Sequence, residues 1–341
     1  MPDGVPSVLI AIVTVFLIVC LILYVIFGGA DFGAGMLAAF VRGESSARER
    51  ELLHQAIAPV WEANHIWIII ALVILFNAFP RAFAEISTTF HIPLTALLVG
   101  ITLRGSAYAL RHYDEVQDRA HAIYERVFVA GSFVAPFALG LVAGGLLLGR
   151  TDPGTLEFWP RFVAPWANRF SVSVGVFLCT IAVFLAAVFS GGEADRDSRR
   201  RFVTLATRAN IAAVAVGLAV FVTAGMEGLP LATGMLTRPL ALGSVLGTLP
   251  LVAALHLSMR RNFWGMARLF ASSIVALILL GWFSIQYPSI LIVAPGSEPL
   301  TLTSSAAPPA VLRVLALALV GGLALVLPAL GLLLAIFKRR G

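Results

Sequence analysis

Charge is what this 341-residue sequence has least of: 12% of its residues are charged against 59% hydrophobic, at a mean hydropathy of +0.94. So little charge cannot clothe a water-soluble globule, and repeated long apolar stretches imply a polytopic membrane protein. No loop is long enough to form a separate soluble domain. Lysine is reduced to Lys338 alone. The two cysteines, Cys20 and Cys179, both lie inside apolar runs and read as small core residues, not as a disulfide or metal pair. No Walker loop, dinucleotide fingerprint, CxxC or HExxH is present, which excludes the usual nucleotide and zinc chemistries. The net charge of +6 is clustered in loops, where it encodes orientation and not a nucleic-acid partner. The N-terminal apolar run has no basic flank and exceeds a signal-peptide core, so it is expected to be an uncleaved first span.

Stretches free of Asp, Glu, Lys and Arg long enough to span a bilayer are 4–30, 63–80, 86–103, 127–149, 170–192, 209–226, 239–259, 269–297 and 314–337. The expected fold is therefore all-α and polytopic, with nine transmembrane helices. They group as two four-helix units (1–149 and 150–297) and a last segment, 298–341, holding a loop and one extra helix. Loops after odd-numbered spans, with the C-terminus, carry 18 Lys and Arg; the opposite side carries six. That asymmetry predicts an outside N-terminus and a cytoplasmic C-terminus. Trp159, Pro160, Pro165 and Trp166 suit a segment at the membrane interface.

Few residues can carry chemistry. Gly29 and Gly33 form a GxxxG step that permits close helix approach, and Asp31 stands between them at the expected cytoplasmic end of the first span. It reads either as a helix-end carboxylate or as a proton site. Glu62 follows Pro59 by three residues, where a helix dipole favours an anion; it also sits where intramembrane carboxylates mark proton uptake. His65 is its i+3 neighbour, and Trp61 shares a face with His65. Arg104 either snorkels to the headgroups or faces Glu62 or Asp31 inside the bundle. His65 and His91, on consecutive spans, differ in expected depth by roughly 10 Å. That disfavours a facing bis-histidine haem and leaves a single axial histidine open.

In these clusters the chain resembles subunit II of cytochrome bd-type quinol oxidases, over nearly its whole length. Residues 29–35 (GADFGAG) resemble the family's G-F-D-L-G-V-G, and 58–67 (APVWEANHIW) resemble G-P-V-W-D-G-N-E-V-W. Residues 76–80 (FNAFP) match F-A-A-F-P; Leu103-Arg104-Gly105 through Arg111 is similar to L-R-G-V-A-F-E-F-R. Gly131-Ser132-Phe133 matches G-S-F, Asn168-Arg169-Phe170 resembles N-P-F, and Leu300-Thr301 through Ser304-Ser305 resembles S-L-T-I…A-S-S.

The resemblance implies a subunit of a quinol:oxygen oxidoreductase in a bacterial cytoplasmic membrane. Its partner would be a subunit I bearing two b haems, haem d and the quinol-binding loop, with a small single-helix subunit as a further partner. This chain would contribute scaffold, part of a cytoplasmic proton path and a site for a structural quinone, with no haem firmly its own. Asp31, Glu62, His65 and Arg104 would form the path, ordered by Trp61, Asn64 and Trp67. The chain departs from the pattern at Glu62 (usually Asp), Gly28 (often Asp), His65 (usually Glu or Gln) and Ala109 (Glu), which marks a divergent branch. A proton-coupled transporter and a purely structural assembly subunit are the competing readings.

Overall fold

The computed structural model describes residues 7–40, 53, 64–113 and 119–338. Trp61 and Glu62 lie outside the described residues, as does the first turn expected around Pro59. Among the described residues the order is α1 (Ser7–Phe40), α2 (Asn64–Ala78), α3 (Pro80–Thr89), α4 (His91–Tyr113), α5 (Arg119–Leu148), α6 (Phe158–Phe162), α7 (Arg169–Gly191) and α8 (Arg196–Met226). Then come α9 (Leu231–Thr237), α10 (Pro239–Arg260), α11 (Trp264–Gln286), the strands β1 (Ser289–Leu291) and β2 (Leu300–Thr301), and α12 (Pro309–Lys338).

Seven helices are long and apolar enough to cross a membrane, or eight if α2 and α3, bent by 119°, make one broken span. In α12 the described apolar stretch is Pro309–Leu325, shorter than a full span. The all-helical membrane architecture is as expected; among the described residues, length and apolarity do not reach nine spans.

Three boundaries differ from expectation. α1 does not stop near residue 30 but continues to Phe40, because Ala30 to Ala38 are all buried and the one charge among them is neutralised by a partner. The second span does not run into a loop at Arg81: Phe79 leaves helical geometry and Pro80, which has no N–H to give the preceding turn, opens α3 at its favoured first position. The eighth span ends at Gln286, not 297, since Tyr287 precedes a proline and takes an extended backbone (φ −56°, ψ 136°). The chain beyond it forms β1 and β2, an antiparallel pair with Ser289 opposite Thr301.

α1 is the axis of the packing. It contacts α5, α7, α11 and α12, and its contact with α7 is larger than that with α5. The GxxxG step accounts for this seam. A Cβ placed on Gly33 would stand 1.9 Å from the Ala182 carbonyl oxygen of α7, so only glycine permits the observed approach.

Ion pairs tie the helix ends together. Arg81 meets Glu298 at 2.6 Å, Arg150 meets Glu227 at 2.6 Å and Arg161 meets Glu85 at 2.5 Å. All six residues belong to connections expected on one side of the membrane. Arg268 and Glu193, 2.7 Å apart, belong to connections expected on the other. None of these described pairs joins the two sides, as alternating spans require. At the first of these ends α6 exposes Phe158 and Trp159, in keeping with the interfacial segment expected there.

Candidate functional site

The site is assembled at the α1–α4–α5 junction. Asp31 and Arg104 are both 1% exposed, and Arg104 is the largest fully buried side chain described. Arg104 Nη1 donates to Asp31 Oδ2 at 2.8 Å, and Nη2 donates to Oδ1 at 2.5 Å and to the Asp31 carbonyl at 3.2 Å. Arg104 Nε donates to Ser132 Oγ at 3.0 Å, and that hydroxyl donates to the Phe128 carbonyl at 2.7 Å. The guanidinium carbon lies 4.6 Å from the centre of the Phe128 ring and 5.2 Å from that of Phe32. Fork geometry, aromatic faces and a hydroxyl together satisfy a cation that water does not reach.

This geometry bears on the helix-end reading of Asp31 and the snorkelling reading of Arg104. Asp31 is no helix-end carboxylate, since α1 runs nine residues past it, to Phe40. Arg104 does not snorkel; it turns inward to Asp31.

Glycines make the junction possible. A Cβ on Gly35 would lie 2.1 Å from Ser132 Oγ, and one on Gly131 would lie 2.6 Å from the Gly100 carbonyl and 3.0 Å from Arg104 Cβ. The residues that carried the resemblance at 29–35, 103–105 and 131–133 therefore converge on one buried ion pair.

α2 approaches the same place. Asn64 is fully buried against Gly28: a Cβ there would stand 2.9 Å from Asn64 Oδ1. His65 is half-buried and within electrostatic range of both Asp31 and Arg104. Trp67 packs against the neighbouring apolar cluster, which holds Tyr24, Phe32, Leu97, Ala135 and Ala138.

Sequence reasoning passed over two further groups. Tyr24, 1% exposed, lies edge-on to Phe32 with ring centres 6.5 Å apart; its spacing of seven residues before Asp31, two helical turns on one face, was the available signal. Glu85 accepts from Arg161 at 2.5 and 3.0 Å and from the Thr89 hydroxyl at 2.7 Å, a half-closed cluster at the opposite end of the bundle.

The histidines do not fit a shared haem. His65 lies within electrostatic range of the Asp31–Arg104 pair, whereas His91 is beside Phe162 at the other end, its Nδ1 2.9 Å from the Thr88 carbonyl. His256 Nδ1 is likewise 2.8 Å from its own helix's Val252 carbonyl. Among the described residues no three His, Cys, Asp or Glu side chains gather as metal ligands.

Known proteins resemble this chain in sequence and in fold. The family described as cytochrome bd terminal oxidase subunit II matches residues 9–337. Cytochrome bd ubiquinol oxidase subunit 2 of Bacillus subtilis (strain 168) is 30% identical over 152 residues, 43% of this chain and 43% of that protein. Cytochrome bd-I ubiquinol oxidase subunit 2 of Escherichia coli (strain K12) is 31% identical over 131 residues, 38% of this chain and 34% of that protein. The chain thus spans less than half the length of these curated relatives in the matched part. A chain in the structure of bd oxidase from Geobacillus thermodenitrificans superimposes with a TM-score of 0.78 at 20% identity, covering 97% of this chain and 98% of that one, a likeness of fold.

Proposed function

The chain belongs to the cytochrome bd terminal oxidase subunit II family, and on that premise we propose that it is the subunit of a quinol-oxidising, oxygen-reducing membrane complex that scaffolds a haem-bearing subunit I and guides protons to it. The b and d haems would reside in that partner. The observation that carries the reading is the Asp31–Arg104 pair: two opposite charges held together and buried inside a bundle of long apolar helices. Such charges are retained at intramembrane sites chiefly for function.

The pair and its neighbours divide the work. Both Asp31 carboxylate oxygens already accept from Arg104, so Asp31 would have to give up those bonds to take a proton. The pair is then a fixed dipole that orients the path, and Ser132 holds its cation in place. Glu62 and the half-buried His65 are the groups to which this reading gives the change of protonation, with Asn64, Trp61 and Trp67 ordering them. Protons enter at the C-terminal end of α1, which the distribution of Arg and Lys assigns to the cytoplasm. A groove of 470 Å³ beside Asn77, Val311 and Leu315, between α2 and α12, is the apolar place for a structural quinone or a lipid chain.

The test is purification from native membranes followed by Glu62→Gln in the assembled complex. Co-purification of a haem-bearing second chain, with oxygen consumption and proton uptake both slowed by the substitution, is the expected result. A colourless homomer would favour the transporter reading. An assembled complex whose rates ignore the substitution would leave this chain a structural subunit.

A further inference from the structure

Two polar side chains next to the ion pair are buried without partners. Tyr24 is 1% exposed and Asn64 0%. Among the described residues neither Tyr24 Oη, Asn64 Oδ1 nor Asn64 Nδ2 has a hydrogen-bond partner. Each such group left unmade costs about 1–3 kcal/mol, and folded proteins avoid that cost with internal water, which typically takes about three bonds.

The placement is specific. Asn64 presses its carboxamide on Gly28, whose missing side chain leaves the space: a Cβ there would meet Oδ1 at 2.9 Å and Nδ2 at 3.0 Å. Tyr24 stands one turn away on the same face of α1, ~6 Å along the axis. Its ring meets the edge of Phe32, whose own ring lies 5.2 Å from the Arg104 guanidinium carbon. A hydroxyl and an amide, each able to give and accept, thus flank the stretch of α1 that leads from the ion pair toward the middle of the membrane. Around the Tyr24 ring the packing is apolar: Phe32, Leu97, Ala135 and Ala138 share its cluster.

The geometry points to an internal water site between the Tyr24 hydroxyl and the Asn64 carboxamide, one or two molecules, that extends the proton path beyond Asp31–Arg104 into the membrane interior. The transfer half of this statement rests on the proton-path function proposed above; the hydration half does not. In one transfer the water accepts a proton from a donor on the cytoplasmic side of the path and passes one of its own to Tyr24 Oη, while the Tyr24 hydroxyl passes its proton to an acceptor (a further water or a carboxylate) on the membrane-interior side, so that hydroxyl, water and amide end as they began. Asn64, which keeps its protons, positions the water.

The experiment is a high-resolution cryo-EM map of the intact complex, with oxygen-consumption and proton-uptake rates for Tyr24→Phe and, as reference, Glu62→Gln. Tyr24→Phe removes one oxygen and preserves the ring packed on Phe32, so the fold survives. Expected are ordered water within hydrogen-bond distance of Tyr24 Oη and Asn64, its loss in the variant, and rates lowered ~5-fold or more at unchanged haem content. No water density with full Tyr24→Phe rates, while Glu62→Gln is slow, overturns the inference and leaves the proton-path function standing. Water density with full Tyr24→Phe rates overturns the transfer. Full rates in both variants overturn the proton path itself.

Discussion

Arg104 closes on Asp31 with two parallel hydrogen bonds, of 2.5 and 2.8 Å, across 73 residues of chain and at 1% exposure for each partner. Everything else at the α1–α4–α5 junction is arranged around this contact. Gly35 makes room for Ser132, Ser132 accepts from the Nε N–H of the guanidinium, and two phenylalanine rings cover its faces.

Breaking that pair from one side is expected to be costly. Asp31→Asn or Arg104→Gln alone leaves a buried charge unmatched and should destabilise the subunit by about 3–5 kcal/mol. The double variant Asp31→Asn/Arg104→Gln should recover part of the loss, because neither charge then remains. Thermal unfolding of the detergent-solubilised complex, compared across the three variants, measures the recovery.

The α1–α7 seam should be intolerant of a single methyl group. Gly33→Ala would place carbon 1.9 Å from the Ala182 carbonyl oxygen, so the helices must separate. Loss of assembled complex is expected, at 1–3 kcal/mol or more by the usual scale of overpacking (about that range). Gly321→Ala in α12, where nothing lies within 4 Å, should assemble as wild type. Yield of the intact complex on size-exclusion chromatography separates the two.

Two ion pairs at the other end of the bundle should differ in worth. Arg161 and Glu85 keep only 11% and 13% of their side-chain surface exposed, whereas Arg81 and Glu298 keep 57% and 80%. Glu85→Gln should lower the melting temperature measurably, since it weakens bonds to both Arg161 and Thr89. Glu298→Gln should change stability by no more than about 1 kcal/mol.

Proton delivery should fail without loss of assembly when Glu62 is neutralised. Glu62→Gln is expected to slow oxygen consumption by ~10²-fold, the low end for a positioned proton-transfer group, with haem content unchanged. Measuring both in the same preparation distinguishes a path residue from a folding residue.

The parts legible in the sequence were those written in local chemistry. Hydropathy marked the helices, and the Gly29–Gly33 spacing marked the seam before its partner helix was known. Arg104 left two readings open, because a span near its end looks the same whether the side chain turns to lipid or to a neighbour; only α5 packing decides. The 119° break at Phe79–Pro80 was signalled by the proline, but the ten-residue helix after it was not, since Arg81 and Glu85 there resemble a loop. Tyr24 was passed over for a different reason. An aromatic in an apolar run draws little notice, and only its two-turn spacing from Asp31 marked it until Phe32 was found edge-on to its ring.

The seam between α1 and α7 also sets a schedule for biosynthesis. Ala182 follows Gly33 by 149 residues, and Arg104 follows Asp31 by 73. At ~5–20 residues per second the Asp31 carboxylate waits roughly 4–15 s for its cation, and the glycine face of α1 waits roughly 7–30 s for α7. In that interval the first helix is in the membrane with its charge unpaired and its groove unfilled. The ion pair closes first, so a nascent chain reaches the second half of its synthesis with Asp31 already neutralised and only the glycine groove still to be covered.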